Sequence, residues 1–156
     1  MININVVVET EVWNKKIKEA HIFFNRIVKF FPKKYKFIKK KISLTILLSN
    51  NTRIRKLNKK FRNKNMPTDV LSFPFEKKFN LKKDSYLGDV VISYEYMNKP
   101  KNLSDLEFQR NVIKIFIHGF LHLLSYDHIK LKDFKIMIKE EDRIYKNIDA
   151  KIIKLA

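Results

Sequence analysis

Three of the four histidines in this 156-residue chain fall within eleven consecutive positions, His118-Gly119-Phe120-Leu121-His122-Leu123-Leu124-Ser125-Tyr126-Asp127-His128. His118 and His122 are four apart, a spacing that puts both imidazoles on one face of an α-helix, one turn from each other. The residues around them, Val112, Ile113, Ile115, Phe116, Ile117, Leu121, Leu123 and Leu124, make that helix apolar almost all round. It therefore reads as a buried helix with two polar rings on one stripe. Ser125-Tyr126 breaks the pattern, and six residues beyond His122 the chain can swing His128 back toward the first two. A single histidine on an apolar helix is ordinarily a core side chain. Three converging neutral imidazoles are instead the donor set of a first-row metal, zinc first among them. Three ligands leave a fourth position for water, the arrangement of a catalytic rather than a structural zinc. Asp127 is either an acceptor that orients a ligand ring or only a turn residue.

A zinc ion on three neutral histidines keeps its double charge. It can lower the pKa of a bound water toward about 7, polarise a phosphoryl oxygen and attract an anionic substrate. The spacing is close to a peptidase signature, His-Glu-x-x-His, in which the Glu is the general base. Here that position is Gly119, which has no side chain to move a proton, and a peptidase is disfavoured. Hydrolysis must then rely on the metal, another base or the substrate. RNA brings its own nucleophile, the 2′-hydroxyl; either it or a metal-bound water attacks.

The elements that must position these residues follow from the rest of the chain. The length suits a single domain, residues 1–156, able to bury a core without staples. There is no cysteine, hence no disulfide partner and no thiolate metal site, which fits a reducing compartment. The first nine residues lack the basic start and apolar stretch of a secretory signal, and no uncharged window is long enough for a membrane span. The expectation is a cytoplasmic protein without a membrane partner. The formal charge of +18, from 34 Lys and Arg against 16 Asp and Glu, favours polyanions such as nucleic acid or a ribosome surface. The abundance of Lys, Asn and Ile with only two Gly also resembles an AT-rich coding bias, so the charge supports a nucleic-acid substrate without carrying it.

Residues 2–8 read as a strand, and residues 13–31 as one helix closed by Pro32. His21 falls on its flank without a role. Residues 33–41 form a basic connector with interleaved aromatics, either touching phosphates or simply solvated. Residues 42–48 are a second strand. A helix follows Ser49-Asn50-Asn51-Thr52, with Ile54, Leu57 and Phe61 expected inward and its basic residues outward, ending at Arg62. Residues 69–75 are a third strand whose Pro74 belongs at an edge or bulge. Residues 76–85 read as a polar loop, and residues 87–93 as a fourth strand in which Gly88 suits a bulge or close approach. Ser104 and Glu107 form a capping box that opens the histidine helix. A last helix over residues 131–148 has Phe134, Met137, Ile138 and Ile144 spaced for packing. The fold class is α+β: a small mixed sheet of about four strands packed by helices, with a buried central helix carrying the histidines.

At this point a resemblance becomes specific. The run from His118 to His128 resembles the signature of the YbeY family, bacterial endoribonucleases of rRNA maturation, which reads His-Gly-x-Leu-His-Leu-x-Gly-Tyr-Asp-His. The chain departs from it at Ser125, where the family carries Gly. Phe61-Arg62 leading into Pro67-Thr68-Asp69-Val70-Leu71-Ser72-Phe73-Pro74 is similar too, as is Leu87-Gly88-Asp89-Val90-Val91-Ile92-Ser93, so the match spans residues 42–148 in order. The resemblance implies a zinc-dependent, single-strand-specific endoribonuclease of 16S rRNA maturation, chiefly at the 3′ end, and of ribosome quality control. It implies one zinc ion per chain on His118, His122 and His128, with Arg62 as the basic residue of the active-site cleft. Its partners would be single-stranded ribosomal RNA and the ribosome or small-subunit proteins. The alternative is a ribosome-binding assembly factor with a structural zinc and little nuclease activity. Ser125 matters physically, because the turn after a helix often needs a positive φ, which Ser adopts with strain of order 1 kcal/mol or more.

Overall fold

Apolar and polar residues alternate along β2 (Lys41–Ser49), which puts Ile42, Leu44, Ile46 and Leu48 on one fully buried face. The computed structural model describes residues 1–81 and 84–152, so Lys82 and Lys83 of the expected loop lie outside the described residues. Among the described residues, β2 is flanked by β1 (Ile2–Val8) and β4 (Asp84–Ser93), both parallel to it, and β3 (Val70–Pro74) pairs antiparallel with β4. The order is β1-β2-β4-β3, a mixed four-stranded sheet as expected. β3 is an edge strand, which is where Pro74, lacking an N–H, is tolerated. Asp84 and Ser85, expected in a loop, begin β4 instead.

Gly88 does what its position suggested. The β2–β4 register shifts between Ser43 and Thr45, opposite Tyr86 and Asp89. One extra residue in β4 lets Leu87 and Val90, three apart, both enter the main core. Gly88 has φ 134°, and a Cβ there would come within 2.2 Å of the Phe73 carbonyl oxygen, so no other residue fits.

Helices cover both faces. The main core joins one face of the sheet to α1 (Ala20–Lys29), α4 (Asp105–Leu123) and α5 (Leu131–Ile152). A second cluster of Ile54, Leu71 and Val91 seats α2 (Asn51–Arg62) on the opposite face. A short helix, α3 (Tyr94–Met97), follows β4 directly. The capping box holds: Ser104 Oγ accepts from the Glu107 N–H at 3.2 Å, and Glu107 accepts from the Ser104 N–H at 2.8 Å. The Asn50 side chain caps α2 by accepting from the Arg53 N–H at 2.9 Å. α4 is buried along its length, with Phe116 and Phe120 against Phe24 and Phe31 at centroid distances of 5.4 and 5.1 Å.

Three expectations need correction. The helix expected over residues 13–31 is a 3-10 turn, Glu11–Lys15, followed by the shorter α1. Trp13 causes the break: its ring is fully buried and its Nε1–H donates to the Ser49 carbonyl at 2.9 Å, which ties this stretch to the end of β2. Phe134 and Ile138 are exposed, because the stripe of α5 that meets α4 runs through Met137, Ile144 and Ile148. Phe61 was expected inward and is exposed, since α2 ends where the sheet beneath it runs out at the edge strand.

Candidate metal centre

The last two turns of α4 carry His118 and His122, and the chain then reverses through a tight helix stop. The Tyr126 N–H donates to the Leu121 carbonyl and the Ser125 N–H to the His122 carbonyl, each at 3.0 Å. This pair of bonds is a Schellman motif, and its left-handed residue is Ser125, at φ 71°. The position where the resemblance calls for Gly is thus the one where Gly would be unstrained. Ser125 has a compensation: its hydroxyl accepts from the Phe79 N–H at 2.8 Å. The reversal returns His128 to the other two rings, at centroid distances of 5.5 Å from His118 and 5.1 Å from His122.

One ligand-type nitrogen from each of the three rings lies within 4.8 Å of the others, so the trio could hold a metal ion. The hydrogen bonds around the rings test that fit. His118 Nδ1 meets Glu141 Oε1 at 2.6 Å, and His122 Nδ1 meets the Tyr126 carbonyl oxygen at 2.9 Å. A carboxylate and a carbonyl can only accept, so both Nδ1 atoms carry a proton, and in the neutral rings both Nε2 atoms present lone pairs. Those two Nε2 atoms face each other at 3.0 Å. Two lone pairs at that distance repel unless a proton or a metal ion lies between them, and a tetrahedral zinc asks for a separation of about 3.3 Å. The residues fit the ion. His122 and His118 are half-buried while His128 is exposed, so the cluster is open to solvent on one side.

The electrostatics agree. Burial, then the neighbouring His118, and also His128 and Arg62, push the His122 pKa below its ordinary value and keep the ring neutral. Arg62, the last residue of α2, is exposed, and its charge contributes to lowering the His122 pKa. Asp127 orients no ring; its carboxylate accepts from the Ile129 N–H at 3.4 Å, the turn role. Glu141 has the orienting role instead, and the local spacing around the histidines gave no sign of it because it comes from α5. His21 is exposed on α1.

The basic connector also has a structural part. Tyr35 is buried; its hydroxyl donates to Glu140 and lies 3.1 Å from the Tyr126 hydroxyl, which Lys34 Nζ approaches at 3.4 Å. Burial first, and then the bond to Glu140, raise the Tyr35 pKa, so the phenol stays a neutral donor. This network braces Tyr126, whose carbonyl holds His122. Gly119 is likewise structural. A Cβ on it would lie 2.8 Å from Val90 Cγ1 and 3.1 Å from Ser72 Oγ, and Ser72 donates to the Gly119 carbonyl at 3.0 Å. α4 sits so close to the sheet that a glutamate base could not be housed at this position.

Fold and site together define an α+β protein with a solvent-open tri-histidine centre at the end of a buried helix. A model of the family described as Endoribonuclease YbeY matches residues 7–149. The endoribonuclease YbeY of Pelagibacter ubique is 74% identical over 152 residues, covering 97% of this chain and 99% of that protein. The endoribonuclease YbeY of a Sulfurihydrogenibium species is 34% identical over 148 residues, 94% of each chain. The solution structure of TM1509 from Thermotoga maritima superposes with a TM-score of 0.58 at 25% identity, covering 99% of this chain and 93% of that one. The chain belongs to the Endoribonuclease YbeY family, as the motifs at Arg62, Gly88 and His118 implied. Among the described residues, no helix is long and apolar enough to cross a membrane.

Proposed function

We propose that the protein is a zinc-dependent, single-strand-specific endoribonuclease that matures 16S rRNA, chiefly at the 3′ end, and serves ribosome quality control in the cytoplasm. The observation that carries this reading is the convergence of the His118 and His122 Nε2 atoms at 3.0 Å, with His128 beside them. His118, His122 and His128 would hold one zinc ion per chain, with Glu141 and the Tyr126 carbonyl fixing the first two rings. A bound zinc would supply a Lewis-acidic charge for a phosphoryl oxygen and for the acidity of the nucleophile. Arg62 would grip the scissile phosphate through two parallel N–H bonds. Its guanidinium stays charged through the reaction and favours the added negative charge of the transition state. The partners are single-stranded ribosomal RNA and the ribosome or small-subunit proteins.

Structural zinc sites are closed by four protein ligands, whereas the exposure of His128 favours a working site over a purely structural one. The test is cleavage of a single-stranded RNA by the purified protein, with chelator and after zinc is restored. Cleavage abolished by chelator and recovered with zinc is expected. Tight RNA binding without cleavage under any metal would leave an assembly factor in its place.

A further inference from the structure

α2 leaves part of its sheet face uncovered, and aromatic rings occupy the gap. Phe61 lies on the inward stripe of α2, three or four residues beyond Leu57 and the buried Asn58, yet 58% of it is exposed. Its ring meets that of Phe73 edge-on at 5.2 Å. Phe75, just past the end of β3, is 69% exposed and meets Tyr86 at 5.7 Å. The Tyr86 hydroxyl donates to Asp89 and lies 2.7 Å from Thr45 Oγ1, on the β2 face opposite the buried Leu44 and Ile46. Four rings thus run in two touching pairs over open sheet. Beside them α2 carries six Lys and Arg and no acidic residue, and Lys60 Nζ lies 5.2 Å from the Phe61 centroid.

We propose that this open sheet face is a stacking platform for unpaired bases of the RNA substrate, with Phe61 as the principal ring. The proposal rests on the reading of the chain as an RNA enzyme and adds a source for its strand preference. Positive charge attracts any polyanion, single or double stranded. A duplex hides the faces of its bases in its own stack, whereas an unpaired base offers a face to an aromatic side chain. Aromatic rings beside a basic helix match that ligand, whose bases are flat and whose backbone is anionic; the Asp89 carboxylate is bonded to one ring of the platform, at Tyr86. The location suits it as well. Phe61 adjoins Arg62, and β3 is an edge strand with α2 on one face and α4 on the other.

The chain supplies its own control for the test. Its single tryptophan, Trp13, is fully buried, so Phe61→Trp adds a reporter that alone can be stacked upon. The zinc-loaded full chain is mixed in stopped flow with a short single-stranded 2′-O-methyl oligonucleotide, and separately with a duplex of the same length. Single strand should quench the Phe61→Trp emission and duplex should not. Phe61→Leu, which keeps apolar contact with Phe73 but has no π-face, should bind single strand about tenfold more weakly, as should Phe61→Ala. Both should bind duplex as wild type does. Unchanged single-strand affinity in Phe61→Leu, or an unquenched Phe61→Trp, overturns the platform while wild-type binding leaves the enzyme reading intact. A wild type that binds no single strand overturns both.

Discussion

Glu141 reaches across from α5 to hold His118, its Oε1 accepting from the ring Nδ1 at 2.6 Å. The carboxylate fixes the tautomer that aims Nε2 at His122. Glu141→Ala should weaken zinc binding roughly ten- to a hundredfold, and Glu141→Gln, which retains an accepting oxygen, by less. Titration against a competing chelator measures this. Equal affinities for all three proteins would show that the contact does not tune the site.

Arg62 separates a nuclease from a binder. Arg62→Ala should cut single-turnover cleavage of single-stranded RNA by roughly a hundredfold or more, with zinc content and melting temperature unchanged. Arg62→Lys should restore little, because a point charge cannot replace the planar fork. The salt dependence of binding should fall by about one phosphate contact. Full cleavage by Arg62→Ala would remove this residue from the site.

At Ser125 two effects oppose each other. The left-handed backbone favours Gly by up to about 1 kcal/mol, while the bond from the Phe79 N–H contributes about as much. Ser125→Gly should therefore be close to wild type in urea unfolding. Ser125→Ala keeps the strain and loses the bond, and should be less stable than Ser125→Gly by about 1 kcal/mol. Equal stability of the two variants would show that the turn is not strained by its side chain.

The depressed pKa of His122 sets a pH dependence with a definite sign. Between the folded value and about 6.5 the unfolded chain binds more protons than the folded one, so stability rises with pH across that window. The contribution is complete above about 6.5 and is lost as pH falls through the folded value. The urea midpoint of metal-free protein should accordingly drop between about pH 7 and about pH 5, and less so in His122→Asn. A drop of the same size in that variant would assign it to other groups.

Most of the scaffold could be read from short-range patterns. The alternation in β2, the capping box at Ser104 and the i, i+4 pair at His118 and His122 are local, and local signals survive in a sequence. What escaped came from elsewhere in the chain. Glu141 reaches His118 across 23 positions, and Trp13 breaks the expected first helix through a bond to Ser49, 36 positions away. Phe61 has the helical phase of a core residue, and only the position of the sheet edge exposes it. Gly119 could be read as a missing base, but not as the point where α4 touches Val90.

The three imidazoles span only eleven positions. A denatured chain keeps them within reach of one another, so unfolding would loosen their hold on an ion without dispersing them. Zinc would then bind the unfolded ensemble appreciably, and its effect on the melting temperature would be smaller than its affinity for the native protein suggests. Folding adds what a peptide of the same eleven residues lacks: the carboxylate from α5, the braced turn and the neighbouring arginine. Selection for the native protein over its own peptide lies in those supporting groups rather than in the ligands themselves.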